Sequence, residues 1–286
     1  MLLDGETLPL LEWLRGQHSI LHGKLLELRK ALEQWLGYVT ATFPHYTRHT
    51  IQHSDIIVSQ ISKLVFHTDD FSLVVPFSPL EVYILCAAAY LHDAGMVASE
   101  DEKQRLLRSD EWIRWAERPD IAEQLDAART FNHEISDIAD YGRNLRLRYL
   151  IADFLRSRHH LRAKLVIDAH VEFHKRFGFS DQQLTNAVTA VCMGHGLSPT
   201  ELLDETTYPT LTDILEQPVN VRLLAVLLRF GDLLDLSTDR ACPMLMSAAC
   251  ANPGNEHRSL DAISEDCSTL HNPDQNCGGS VVQFSG

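Results

Sequence analysis

The sequence predicts an all-α fold, a single helical domain followed by an irregular tail. Three observations carry this reading. Apolar residues recur at helical spacing through most of the chain. No convincing run of alternating apolar and polar residues marks a strand, and no internal repeat or long linker interrupts the pattern. From about Ala251 the periodicity stops, and Asn, Gly, Ser and Asp take over.

Each element has its own warrant. From Leu10 to Leu36, the series Leu14, Leu21, Leu25, Leu28, Leu32 and Leu36 predicts a long helix, the core of an N-terminal helical segment over 1–40. Pro44 breaks it. A second helix is expected from about Thr47 to Phe66, with Ile51, Ile57, Val58, Ile61, Leu64 and Val65 turned inward. After a loop over 69–78, Ser78-Pro79-Leu80-Glu81 has the form of a helix start, with Ser as N-cap, Pro first and Glu third. That helix runs through Leu85-Cys86-Ala87-Ala88-Ala89-Tyr90-Leu91 to His92-Asp93, with Gly95 expected as a C-terminal cap that tolerates positive φ. Residues 99–117, with Trp112 and Trp115, read as one amphipathic stretch. Segments 145–155, 158–177, 181–193 and 219–234 complete a domain over 41–250. The tail over 251–286, with Asn252-Pro253-Gly254-Asn255 and His271-Asn272-Pro273-Asp274, has no apolar pattern to offset ordering entropy and is expected to be disordered or loosely attached. So abrupt a change of character is what a truncated or altered reading frame produces.

Composition excludes several roles. The chain has 286 residues and a net charge of −14, which argues against nonspecific nucleic-acid binding, since phosphate neutralisation needs surplus Lys and Arg. No apolar run is long enough to span a bilayer, and the first residues, Met1-Leu2-Leu3-Asp4-Gly5-Glu6, lack the basic region of a signal peptide. The six Cys are scattered with no CxxC pair, so a reducing, cytoplasmic setting fits.

The chemistry concentrates in His and Asp. Tyr90-Leu91-His92-Asp93-Ala94-Gly95-Met96 delivers two polar side chains to the end of an apolar helix, where a buried carboxylate needs compensation and a divalent metal is one source of it. A capping Asp beside a core His is the structural alternative. Five further places resemble it: His49 and His53, stacked four apart; Asn132-His133-Glu134; His159-His160; Gly194-His195-Gly196, where the glycines let backbone approach a ligand; and Asp232 with Asp235 in an apolar helix. Taken singly, each has a structural explanation, such as Asp232 pairing with Arg229.

In order, these residues resemble the HD superfamily of metal-dependent phosphohydrolases. The defining pattern, H…HD…D, falls on His53, His92, Asp93 and Asp232. The longer phrases Phe43-Pro44-His45-Tyr46-Thr47-Arg48-His49 and Tyr149-Leu150-Ile151-Ala152-Asp153-Phe154-Leu155-Arg156 are similar to a branch associated with bacterial conflict systems. In that branch an Hsp90-type ATPase domain often follows the HD domain. The resemblance covers roughly residues 40–245, and no ATPase domain follows here, so it implies a separate or missing ATPase partner. It further implies that His53, His92, Asp93 and Asp232 hold a divalent ion. Mixed N/O ligation admits Mn, Fe, Ni, Co, Zn or Mg, as one ion or two. His159 and His195 then either hold the second metal or pass a proton to the leaving oxygen, with His160 and His133 as further candidates.

A basic segment, Arg143, Arg146, Arg148, Arg156, Arg158, Arg162 and Lys164 against the single acid Asp153, points to a phosphate-bearing substrate such as a nucleotide, with Arg156 as clamp. A solvated basic face is the alternative. The reading is therefore a metal-dependent phosphohydrolase or phosphodiesterase acting on a nucleotide or related phosphate ester. Its rivals are a nucleotide-sensing module that signals without turnover and a helical interaction domain with incidental His.

Overall fold

The computed structural model describes residues 8–43, 49–67, 72–129, 136–169 and 181–235, and the side chains within these ranges except those of 127–129, 136–143 and 169. The tail over 251–286 lies outside the described residues, as does His133. The described chain is mostly helical: α1 (Pro9–Gln17), α2 (Ser19–Leu36), α3 (Val39–Thr42), α4 (Ile51–Val65), α5 (Pro79–Leu91), α6 (Glu100–Leu106), α7 (Asp110–Ala116), α8 (Pro119–Arg129), α9 (Ser136–Arg156), α10 (His159–Ala169), α11 (Gln182–Gly194) and α12 (Val221–Leu233). Among the described residues, no single helix is long and apolar enough to cross a membrane.

Helix α5 is the axis of the core. Every residue from Leu80 to Leu91 is buried, and α1, α2, α4, α11 and α12 pack around it. Its start follows the sequence signal: Glu81 N–H donates to Ser78 Oγ at 3.1 Å, and Ser78 N–H donates to Glu81 Oε2 at 2.9 Å. The other oxygen of the same carboxylate accepts the N–H of Asn220, the N-cap of α12, at 2.9 Å. Helices α5 and α12 therefore start from one shared anchor. Each is 13 residues long, as is α11, so at ~1.5 Å per residue the three helices have the same length.

Two smaller features complete the frame. Arg29 of α2 grips both oxygens of Asp55 of α4, and Tyr90 of α5 donates its hydroxyl to the same carboxylate at 3.0 Å. Trp112, Trp115, Ile121, Leu150 and Phe154 form a second apolar cluster among α7, α8 and α9.

The structure corrects several boundaries. The long helix expected from Leu10 to Leu36 breaks at His18, which leaves helical geometry (φ −153°) and caps α2 by accepting from Leu21 N–H at 3.3 Å. The stretch 99–117 is two short helices, because the Ser109 hydroxyl caps α7 through Trp112 N–H at 3.1 Å. The expected helix over 219–234 begins later, because 212–219 forms a hairpin, β1 (Thr212–Ile214) and β2 (Gln217–Val219). Leu215 and Glu216 turn it with φ of 49° and 61°, where Gly or Asn would be usual, so no turn signal announces it.

The Arg29–Asp55 pair generates a prediction. Both side chains are largely removed from water, so Arg29→Ala leaves a buried carboxylate without its cation and is expected to cost about 3–5 kcal/mol, read from urea denaturation.

Candidate metal centre

Five helix ends converge on one buried place. His92 is the C-cap of α5 and Asp93 follows it; His195 is the C-cap of α11; Asp232 lies in the last turn of α12, with Asp235 just beyond. His53 sits in the first turn of α4, His49 just ahead of that helix, and His159 opens α10. Three of the five ends are C-termini, whose unpaired carbonyls carry partial negative charge and favour a cation nearby.

Asp93 is the centre of the cluster. Its Oδ2 lies 2.9 Å from His49 Nδ1, 3.1 Å from His92 Nε2 and 3.5 Å from His53 Nε2. Its Oδ1 faces the other way, 3.5 Å from His159 Nε2. Asp232 Oδ1 stands 3.4 Å from His53 Nε2. Three overlapping groups of donors are each close enough together to hold a metal ion: His49, His53 and Asp93; His53, His92 and Asp232; and Asp93, His159 and His195. The structure thus brings together His53, His92, Asp93, Asp232, His159 and His195, all picked out in the sequence. It also brings in His49, which the sequence pairs with His53 but the H…HD…D pattern leaves out of the ligand set.

The imidazoles are oriented by a repeated device. His92 Nδ1–H donates to the carbonyl of Ala89 at 2.8 Å, His159 Nδ1–H to that of Arg156 at 2.6 Å, and His195 Nδ1–H to that of Cys192. Each carbonyl belongs to the residue three earlier, and a carbonyl can only accept, so each ring carries its proton on Nδ1 and presents an Nε2 lone pair to the cluster. Two consequences bear on a metal. His92 Nε2 is buried and makes no hydrogen bond. His159 Nε2 and His195 Nε2 face one another at 2.8 Å, lone pair to lone pair, an arrangement that calls for a positive charge between them. The residues present fit a metal.

The electrostatics agree. Burial works against the Asp93 carboxylate, yet the neighbouring His92 and His49, the latter hydrogen-bonded to it, hold it well below the usual carboxylate range. Burial likewise opposes Asp232, and the nearby His53, with the fields of His92 and His195, pulls it low. Burial opposes protonation of His92, but Asp93 raises it overall. Burial and then neighbouring His159 and His92 push His195 down to about 3, and burial lowers His159 despite the attraction of Asp93. Half-buried His160, lowered to about 4 by burial and by His159, packs beside His195 with ring centroids 6.1 Å apart.

Other expectations come out differently. Gly95 does not serve through positive φ; a Cβ there would run into the His159 carbonyl and lie 2.8 Å from Ala163 N, so the glycine lets α10 dock on the turn after Asp93. The glycines around His195 make room for protein, not ligand: Gly194 for Ala225 of α12, and Gly196 for the ring of His160. Arg229 donates to the carbonyl of Leu197, while the near partner of Asp232 is His53. The basic segment is dispersed. Arg162 is buried, holding the carbonyls of Gly95 and Val97 at 2.7 and 3.0 Å; Arg158 stacks 4.3 Å over Phe154; and Lys164 pairs with Asp168. Half-buried Arg156 ends α9 and supplies the carbonyl that orients His159.

The family model HD-CE matches residues 43–259. The chain belongs to the HD-CE family. The matched region contains the adjacent His92-Asp93 at the end of the central helix. Helices α1 and α2 precede the HD-CE match yet share its core through Leu10, Leu14, Leu25, Leu28 and Leu32. No curated protein and no solved structure compared with the chain matches it.

The packing at Gly95 can be tested. Gly95→Ala is expected to lose about 2 kcal/mol by overpacking the contact between α10 and the turn after Asp93. Gly23→Ala, at a helical position with nothing within 4 Å of the added methyl, is expected to gain about 0.5–1 kcal/mol. Thermal unfolding of the two variants, shifting in opposite directions, is the check.

Proposed function

We propose that this HD-CE chain is a metal-dependent phosphohydrolase or phosphodiesterase acting on a nucleotide or related phosphate ester. The observation that carries the reading is the set of buried Nε2 lone pairs and carboxylate oxygens converging on both sides of Asp93. Family membership supports it, since an HD domain implies this class of chemistry. A divalent ion, when bound, supplies Lewis acidity toward the phosphoryl oxygens and an activated water.

The residues divide the work. His53, His92, Asp93 and Asp232 hold one ion; Asp93, His159 and His195 hold a second, with Asp93 shared. His159 and His195 are better read as ligands than as proton donors, because each already gives its Nδ1–H to a backbone carbonyl and turns Nε2 inward. Arg156 binds substrate phosphate from the α9–α10 junction, three residues ahead of His159, which opens the next helix. A conflict-system role, an ATPase partner and a cytoplasmic setting belong to the same proposal.

Two measurements test it. Asp93→Ala is expected to lose most bound metal, by elemental analysis, and turnover of a panel of nucleotides and cyclic nucleotides, because the shared carboxylate serves both ion positions. Wild type that holds metal without turning over any of them would favour a sensing module. Arg156→Ala is expected to lose about 2 kcal/mol in turnover or nucleotide binding with metal retained, and Arg156→Lys to recover only part. Arg105→Ala on α6 controls for net charge, and equal behaviour of the two Ala variants would remove Arg156 from the phosphate site.

A further inference from the structure

Among His53, His92, His159 and His195, one imidazole is oriented differently from the rest. His92, His159 and His195 are each held by a carbonyl of their own chain segment, three residues back. His53 is held instead by a carboxylate 182 residues away: its Nδ1 lies 2.5 Å from Asp235 Oδ2. The Asp235 side chain is fully removed from solvent. Its backbone N–H donates to the carbonyl of Asp232 at 3.1 Å, so both acids belong to the turn that ends α12. That single turn grips both nitrogens of one ring: Asp235 at Nδ1, and Asp232, 3.4 Å from Nε2, on the side where Asp93 also stands.

A carboxylate can only accept from Nδ1, which fixes the proton there and turns the Nε2 lone pair toward Asp93 and Asp232. It also makes the ring a stronger ligand, as outer carboxylates do for metal-bound His. We propose that Asp235 is a positioning residue that sets the tautomer and direction of His53 for metal binding, coupling the end of α12 to the centre through an outer carboxylate as well as through Asp232. The proposal rests on the metal reading above.

The experiment measures Mn²⁺ affinity by calorimetry on the full chain, and the His53 tautomer by ¹⁵N-histidine NMR on the metal-free protein. Wild type is expected to carry the His53 proton on Nδ1. Asp235→Asn keeps the shape but offers an amide N–H toward Nδ1, so it should move the proton to Nε2 and weaken Mn²⁺ about 10- to 100-fold. Asp235→Ala should weaken binding to a similar degree, and Asp235→Glu, which restores a carboxylate, should regain part of it. A tautomer unchanged in Asp235→Asn, or affinity within about 3-fold of wild type in both Asn and Ala variants, overturns the role of Asp235; Asp93→Ala still abolishing uptake would leave the metal reading standing. Wild type that takes up no Mn²⁺ overturns the metal reading and this role with it. If the Ala variant fails to fold, the near-isosteric Asn variant decides, and loss of folding in all three variants marks Asp235 as purely structural.

Discussion

The arrangement depends on a buried carboxylate, Asp93, placed at the end of a helix with no polar face. An apolar helix such as α5 can sit at the centre of a bundle, but whatever follows its last turn must leave the helix inside the protein. Here the backbone of that exit is satisfied in detail. The carbonyl of Ala94 accepts from Trp35, those of Gly95 and Val97 accept from Arg162, and Met96 N–H returns to the carbonyl of Asp93. What stays unsettled is charge. Three C-terminal helix ends and two carboxylates meet in the same volume, and the histidines around them turn basic nitrogens inward. The fold has gathered negative potential and lone pairs where only a cation balances them.

The geometry that gathers them is simple. Glu81 anchors the starts of α5 and α12, and these helices and α11 are each 13 residues long; His92 and His195 cap the ends of α5 and α11, and Asp232 lies in the last turn of α12. The ends of α4 and α10 close the ring. Asp55, bound by Arg29 and Tyr90, ties α4 to α2 and α5, and the absent side chain at Gly95 lets α10 come close enough to bring His159 to Asp93. Stability and site therefore share contacts, so a variant far from the donors, at Glu81 or Arg29, acts on the centre through helix registration.

Much of this was legible in the sequence because the donors sit at helix ends, where an apolar run stops at a His or Asp. His92-Asp93, His195 and Asp232 all have that form, and the resemblance to the HD pattern placed them in order. Asp235 was visible as a second acid in an apolar setting, but nothing in the spacing reveals that it reaches His53 from the far end of the domain. The glycine arguments failed for a related reason. Gly95 and Gly196 are required by neighbours distant in the chain, α10 and His160, whereas local reasoning knows only dihedral freedom and turn signals. The basic segment was legible only as a count of Arg residues, which says nothing about which partners each guanidinium finds. Arg162 is a buried brace and Arg158 an aromatic stack. The hairpin escaped because its strands are three residues long and its turn is built on Leu215 and Glu216.

The question of one ion or two turns on how Asp93 is used. Here Oδ2 faces His49, His53 and His92, while Oδ1 faces His159. The opposed Nε2 atoms of His159 and His195 lie on that second side and repel one another unless a positive charge stands between them. A proton is a poor candidate, because burial and the neighbouring imidazoles depress both rings, His195 to about 3. An ion on the His53 side leaves this repulsion in place, since its charge lies across the carboxylate and not between the two nitrogens. The donors on the Oδ1 side thus support the proposal of a second ion, since a shared carboxylate is an arrangement by which two positive ions tolerate close approach.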